Sequence, residues 1–202
     1  MKRIGIAATA LIGAGPAAAH SFDTGADAYN QMVEGTGVVL TDPGLLIPIL
    51  ALGILLSLWD AEGLPRAWPF YLLGQIAGVI VASVVGPWIT TVFIALGIVI
   101  AALAALLPRP TKSLAIGLAA LTGVGALAVG LEGHGLFELS VFIHLGLILG
   151  VNIAVALPAG AARVALDKVA APWMRIGWRV ASSWLGAILV LYLAFEMTGG
   201  LS

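Results

Sequence analysis

The chain has 202 residues, of which 61% are hydrophobic and only 9% charged, and its formal net charge is −1. A soluble domain carries about 25% charged residues. So few charges cannot coat a globule of this size, and the apolar excess has to face lipid. The near-neutral charge speaks against nucleic acid as a partner, and the lack of cysteine excludes disulfides and thiolate metal sites.

Residues 1–19 read as a cleavable signal peptide. Lys2 and Arg3 give the positive start, residues 4–12 a short apolar core, Gly15 and Pro16 a break, and Ala17, Ala18 and Ala19 the small residues of a cleavage site. The apolar run is shorter than the ~20 residues that span a bilayer. Cleavage after Ala19 leaves His20 as the mature N-terminus. Residues 20–43 form the longest polar stretch, with Asp23, Asp27, Glu34 and Asp42 and no basic residue. They are expected to be a segment outside the membrane.

Six apolar runs follow, at 44–59, 68–85, 88–107, 113–131, 136–157 and 173–197. Lipid admits only helices or closed barrels, and uninterrupted runs of this length are helical. The expected fold is therefore all-α, a polytopic bundle of six crossings over 44–197 with a short tail at 198–202. Trp59, Trp68, Trp88 and Trp173 punctuate the ends of the runs as interfacial anchors. Gly74 and Gly78, and Gly146 and Gly150, suit close contact between helices.

With the mature N-terminus outside, six crossings put the connections 60–67, 108–112 and 158–175 in the cytoplasm. Arg66, Arg109, Lys112, Arg163, Lys168 and Arg175 fall on them, and Arg179 lies within snorkelling reach. Every basic residue after Arg3 is then on one face, as the positive-inside bias requires. This predicts an inner-membrane protein with both termini periplasmic. The acids Asp23, Asp27, Glu34, Asp42, Glu132, Glu138 and Glu196, with His20 and His134, gather at the other face. Such a mouth attracts cations; the plainer reading is that acids are merely tolerated there.

Polar groups inside a membrane are costly and default to functional candidates. The fifth run is the richest, with Glu138, His144 and Asn152. His144 and Asn152 are two turns apart and within about 80° of each other on a helix, and Ser140 lies a turn above His144. His134 and Glu138 would share a face if the helix began before His134. Imidazole and carboxylate suit nickel, zinc, copper or cobalt without choosing among them. The imidazole and free amine of His20 could chelate one ion. Against this, a single membrane histidine often just bonds a neighbouring helix. Gln75, Thr90 and Thr91 read as glue between helices, and Glu196 as a solvated helix end. No phosphate-binding loop, zinc-protease motif or serine elbow is present, so the chain is not expected to be an enzyme or an ATP-driven pump.

Several short motifs resemble the HupE/UreJ family of hydrogenase- and urease-linked membrane proteins. Ala19-His20 resembles the end of its signal peptide. TDPGLLIPILALG at 41–53 is similar to its first-helix box, G-x-D-H-x-L before an apolar run, although the Asp-His pair reads Asp42-Pro43 here. GLPRAWP at 63–69 resembles the loop after that helix. EGHG at 132–135 and FIHLG at 142–146 resemble its His-Gly segment and its Leu-His-x-x-Gly helix. The likeness covers most of residues 20–197. It implies a nickel permease or an accessory factor for metalloenzyme maturation, and it carries Asp42, His134 and His144, and more weakly His20, over as metal residues.

The expected function is thus uptake of a divalent transition-metal ion, with His20, Asp42, His134, Glu138, His144 and Asn152 as its contacts. A different class stays open: a non-transporting membrane subunit or assembly factor of a larger complex. A third is a membrane enzyme or haem anchor using two bundle histidines.

Overall fold

Asp27, Thr111 and Ser140 each turn a side-chain oxygen back to the backbone N–H three residues on, at 2.9, 3.4 and 3.3 Å, and so start three of the helices. The computed structural model describes residues 22, 25, 27–135, 138–169 and 171–198. The expected signal peptide, His20 and Asp23 lie outside the described residues. Those described form seven helices and no strand: α1 Ala28–Thr41, α2 Pro43–Trp59, α3 Gly63–Ala82, α4 Trp88–Leu106, α5 Lys112–Gly130, α6 Val141–Lys168 and α7 Pro172–Met197.

Four of these helices, α4 to α7, are long and apolar enough to cross a membrane, and this is a multi-pass membrane protein. The pair α1 and α2 passes the same test together but is bent by 74° at Asp42. Pro43 fixes the first residue of α2, and Pro at that position displaces the preceding residue from helical geometry. The helix α3 is 20 residues long. Pro65, Arg66, Pro69, Tyr71 and Gln75 interrupt its apolar run, and it does not join those four.

Three boundaries differ from the sequence expectation. Residues 28–41 of the polar stretch fold as a helix, α1, and lie against α6. The GLPRAWP stretch is the first two turns of α3, so the turn after α2 occupies only Asp60 to Glu62. The helix α6 begins at Val141, later than expected, and runs on through Pro158 to Lys168. Gly53 of α2 makes room for the Pro158 ring, since a Cβ there would stand 2.7 Å from its Cγ.

α2 is the centre of the bundle and touches every other helix. Leu45, Ile49, Leu52 and Leu55 are fully buried along it, and hydrophobic neighbours seal it on all sides. Around it the helices pair through glycine. A Cβ on Gly35 of α1 would stand 2.5 Å from the Ile143 carbonyl oxygen of α6, and one on Gly146 would strike the Met32 carbonyl oxygen. Gly74, Gly78 and Gly123 bring α3 and α5 together in the same way. In both pairs the residue numbers rise together, so the paired helices are parallel. α7 lies antiparallel to α4, with Arg179 beside Ala105 and Gly186 beside Ala101.

This topology separates two ends. The starts of α1, α4 and α6 and the end of α7 share one end with the 131–140 connection. The links from α2 to α3, α4 to α5 and α6 to α7 share the other, which carries Arg66, Arg109, Lys112, Arg163, Lys168 and Arg175. Between the ends the outer surface is apolar: on α7, Trp184 is 69% exposed and Leu191 62%. In a bilayer such side chains face acyl chains.

Candidate functional site

The polar groups at the acidic end sit on α1, α4, α6 and α7 and on the connections beside them. α5 ends at Gly130, and the turn that follows passes through Gly133, whose φ of 82° suits a residue without a Cβ. That turn buries Glu132, 6% exposed, against the start of α4, where its carboxylate accepts a 2.7 Å hydrogen bond from the Thr90 hydroxyl. Thr90 thus ties α4 to the turn after α5 rather than to another helix.

Two residues on, the His134 ring places Nδ1 3.1 Å from the Glu132 carbonyl oxygen. A carbonyl oxygen only accepts, so in the neutral ring this contact puts the proton on Nδ1 and leaves the lone pair on Nε2. The Phe22 ring meets the imidazole edge-on, with centroids 5.4 Å apart. His144, one turn inside α6, repeats the arrangement: its Nδ1 is 2.9 Å from the Ser140 carbonyl oxygen. Both described histidines therefore hold Nδ1–H on the backbone and leave Nε2 as the available ligand atom, the orientation that metal-binding histidines generally adopt.

Glu138 does not continue a helix with His134. Residues 131–135 and 138–140 are not helical, and the Glu138 carboxylate folds back to accept from the Gly135 N–H at 2.7 Å. The shared helical face expected for His134 and Glu138 is thus absent, because the Ser140 cap starts α6 only at Val141. The Ser140 hydroxyl also donates to the Gln31 side-chain oxygen of α1.

Asp42 stands at the break between α1 and α2. Its Oδ1 accepts from the Gly44 N–H at 2.7 Å and so caps α2. The Tyr192 ring of α7 closes over the same place: a Cβ on Gly44 would lie 3.1 Å from it. Glu196 is a turn further along α7, exposed at the helix end as expected.

Asn152 belongs to another constellation. Its amide donates to Gln75 Oε1 at 3.0 Å and to the Ile148 carbonyl oxygen at 2.8 Å. One turn away, the buried Tyr71 hydroxyl donates to the Val151 carbonyl oxygen at 3.0 Å. Gln75 is the glue that the sequence suggested, and Asn152 is its partner, two turns deeper than His144.

The structure thus gathers Glu132, His134 and Glu138 in one turn and His144 and Ser140 at the adjoining helix start. It sets Asp42 apart beside Tyr192. Among the described residues, no three of His, Asp and Glu stand close enough to hold one ion together. Sequence reasoning missed Gln31 and Tyr192 as parts of this end. Gln31 meets Ser140 across 109 positions, and no local spacing announces such a pair.

Fold and polar end together define a multi-pass helical membrane protein with a histidine- and carboxylate-bearing mouth at one end. Comparison with protein-family models, curated proteins and solved structures found no match.

Proposed function

We propose that this protein is a six-crossing inner-membrane permease or accessory protein for uptake of a divalent transition-metal ion, nickel before copper, cobalt or zinc, in support of metalloenzyme maturation. In this reading both termini are periplasmic and the acidic end is the entrance. The observation that carries it is the shared posture of His134 and His144, each with Nδ1–H on a carbonyl oxygen and Nε2 left to bind. Glu132 and Glu138, two residues before and four after His134, add negative charge at this end that would draw cations toward it. The break at Asp42 adds the kind of interrupted helix on which transporters build ion sites. The motifs shared with the HupE/UreJ family point to nickel, and His20 and Asp42 would take part at the entrance.

The test is nickel uptake by cells making the wild type or His134→Ala/His144→Ala at equal membrane abundance. The double variant should lose most of the uptake above the empty-vector level. Equal uptake by the two sinks the relay.

One observation favours the second reading, a non-transporting subunit or assembly factor. α2 is sealed along its length by Leu45, Ile49, Leu52 and Leu55, and the polar groups near it are engaged with one another. Purification in a mild detergent separates the two. A stoichiometric partner together with vector-level nickel uptake selects the subunit.

A further inference from the structure

At the opposite end, a cleft of about 380 Å³ opens between the last turns of α6 and the first turn of α7. Arg163, Leu166, Val169, Ala171, Pro172 and Arg175 line it. Two guanidinium groups thus share one small cleft with an apolar wall. Arg163 holds Asp167 through Nε and Nη2, which leaves Nη1 unused among the described residues. Arg175 gives Nη1 to the Leu58 carbonyl oxygen at 3.0 Å, which leaves Nε and Nη2. Asp167 pairs with Arg163, and Asp60 pairs with Arg66, while Arg175 has no carboxylate partner among the described residues, so the cleft keeps a positive charge.

We propose that this cleft binds the phosphate of an anionic phospholipid headgroup, with the remaining N–H groups of Arg163 and Arg175 as donors. Arginine forks match phosphate oxygens, and each guanidinium is already anchored by its other nitrogens. The surroundings favour a lipid over a free ion. Trp173, 61% exposed, and Ile176, 56% exposed, flank the cleft on α7, where an interfacial ring and an acyl chain would lie. Basic pockets between membrane helices at the positive face are where acidic headgroups are held.

The test is native mass spectrometry of the full chain in detergent, titrated with phosphatidylglycerol, phosphatidylcholine or inorganic phosphate. Phosphatidylglycerol should be retained preferentially, and Arg163→Gln/Arg175→Gln should weaken it by about fivefold per cation removed. Arg175→Lys, which keeps the charge but loses the fork, should bind less tightly than the wild type and more tightly than Arg175→Gln, and Arg109→Gln at the same end should change nothing. If the double variant fails to fold, Arg163→Gln alone should still show its fivefold loss. Equal retention of the two lipids, or unchanged binding by Arg163→Gln, overturns the proposal. Displacement of phosphatidylglycerol by millimolar phosphate keeps the arginine chemistry and overturns the lipid as its source.

Discussion

Gln75 and Asn152 bring two amides into an apolar interface, where neither finds water. Each satisfies the other, so removing one leaves a stranded polar group. Gln75→Leu or Asn152→Leu alone should destabilise the bundle by about 1–3 kcal/mol. The double variant should lose less than the sum, with a coupling of about 0.6–2 kcal/mol in a thermal-unfolding cycle in detergent. An additive result would mean that the pair is not formed. Gly133 presents the opposite case, since a Cβ there meets no atom within 4 Å. Gly133→Ala should cost only the backbone strain of a positive φ, about 1–2 kcal/mol. The residue types were legible in the sequence: a membrane glutamine reads as glue and a membrane histidine as a candidate. Their partners were not. Thr90 meets Glu132, Gln31 meets Ser140 and Gln75 meets Asn152 across 42, 109 and 77 positions, distances that only chain packing closes.

α1 owes its place to contact rather than to its own apolarity. Gly35 and Gly146 let two backbones touch, and the Thr36 hydroxyl lies 2.9 Å from the Met32 carbonyl oxygen and 3.0 Å from that of Gly146, sharing its proton between them. Gly35→Leu should therefore undock α1 from α6, seen as new proteolysis between residues 28 and 41. Gly37→Ala on the same helix meets nothing within 4 Å. It should leave α1 docked and gain up to about 1 kcal/mol from better helix propensity. Cleavage of both variants alike would refute the glycine contact. α7 is tied differently. Arg175 and Arg179 donate to the Leu58 and Ala105 carbonyl oxygens, in the last turns of α2 and α4, where unpaired carbonyls and the negative helix ends both welcome a cation. These arginines read in the sequence as topology markers; that they also cap two neighbouring helices depends on antiparallel packing.

For the molecule as a whole, the separation of charge between the two ends makes orientation testable. The chain has no cysteine, so single cysteines at Ala61, Arg109 and Gly133 report without background. If the basic end faces the cytoplasm, a membrane-impermeant maleimide added to intact cells should label Gly133→Cys alone, and all three after lysis. Labelling of Ala61→Cys in intact cells would reverse the proposed topology. Composition by itself determined that this chain meets lipid, because 9% charge over 202 residues leaves no other way to cover its surface, and the uninterrupted apolar runs made it helical. The spacing of apolar runs also located the cores of α2 to α7. Their limits were decided elsewhere. A proline break at Asp42, a serine cap at Ser140 and glycine contacts along α6 fixed where helices stop and turned a polar N-terminal stretch into α1. Only the tertiary structure decided that α2 lies at the centre, that His134 and Glu138 share a turn rather than a helix face, and that Asn152 answers Gln75. Lipid exposure is a property of composition, which a sequence states directly. A pairing of polar groups depends on which helices lie side by side, and that is set by the packing of the whole bundle.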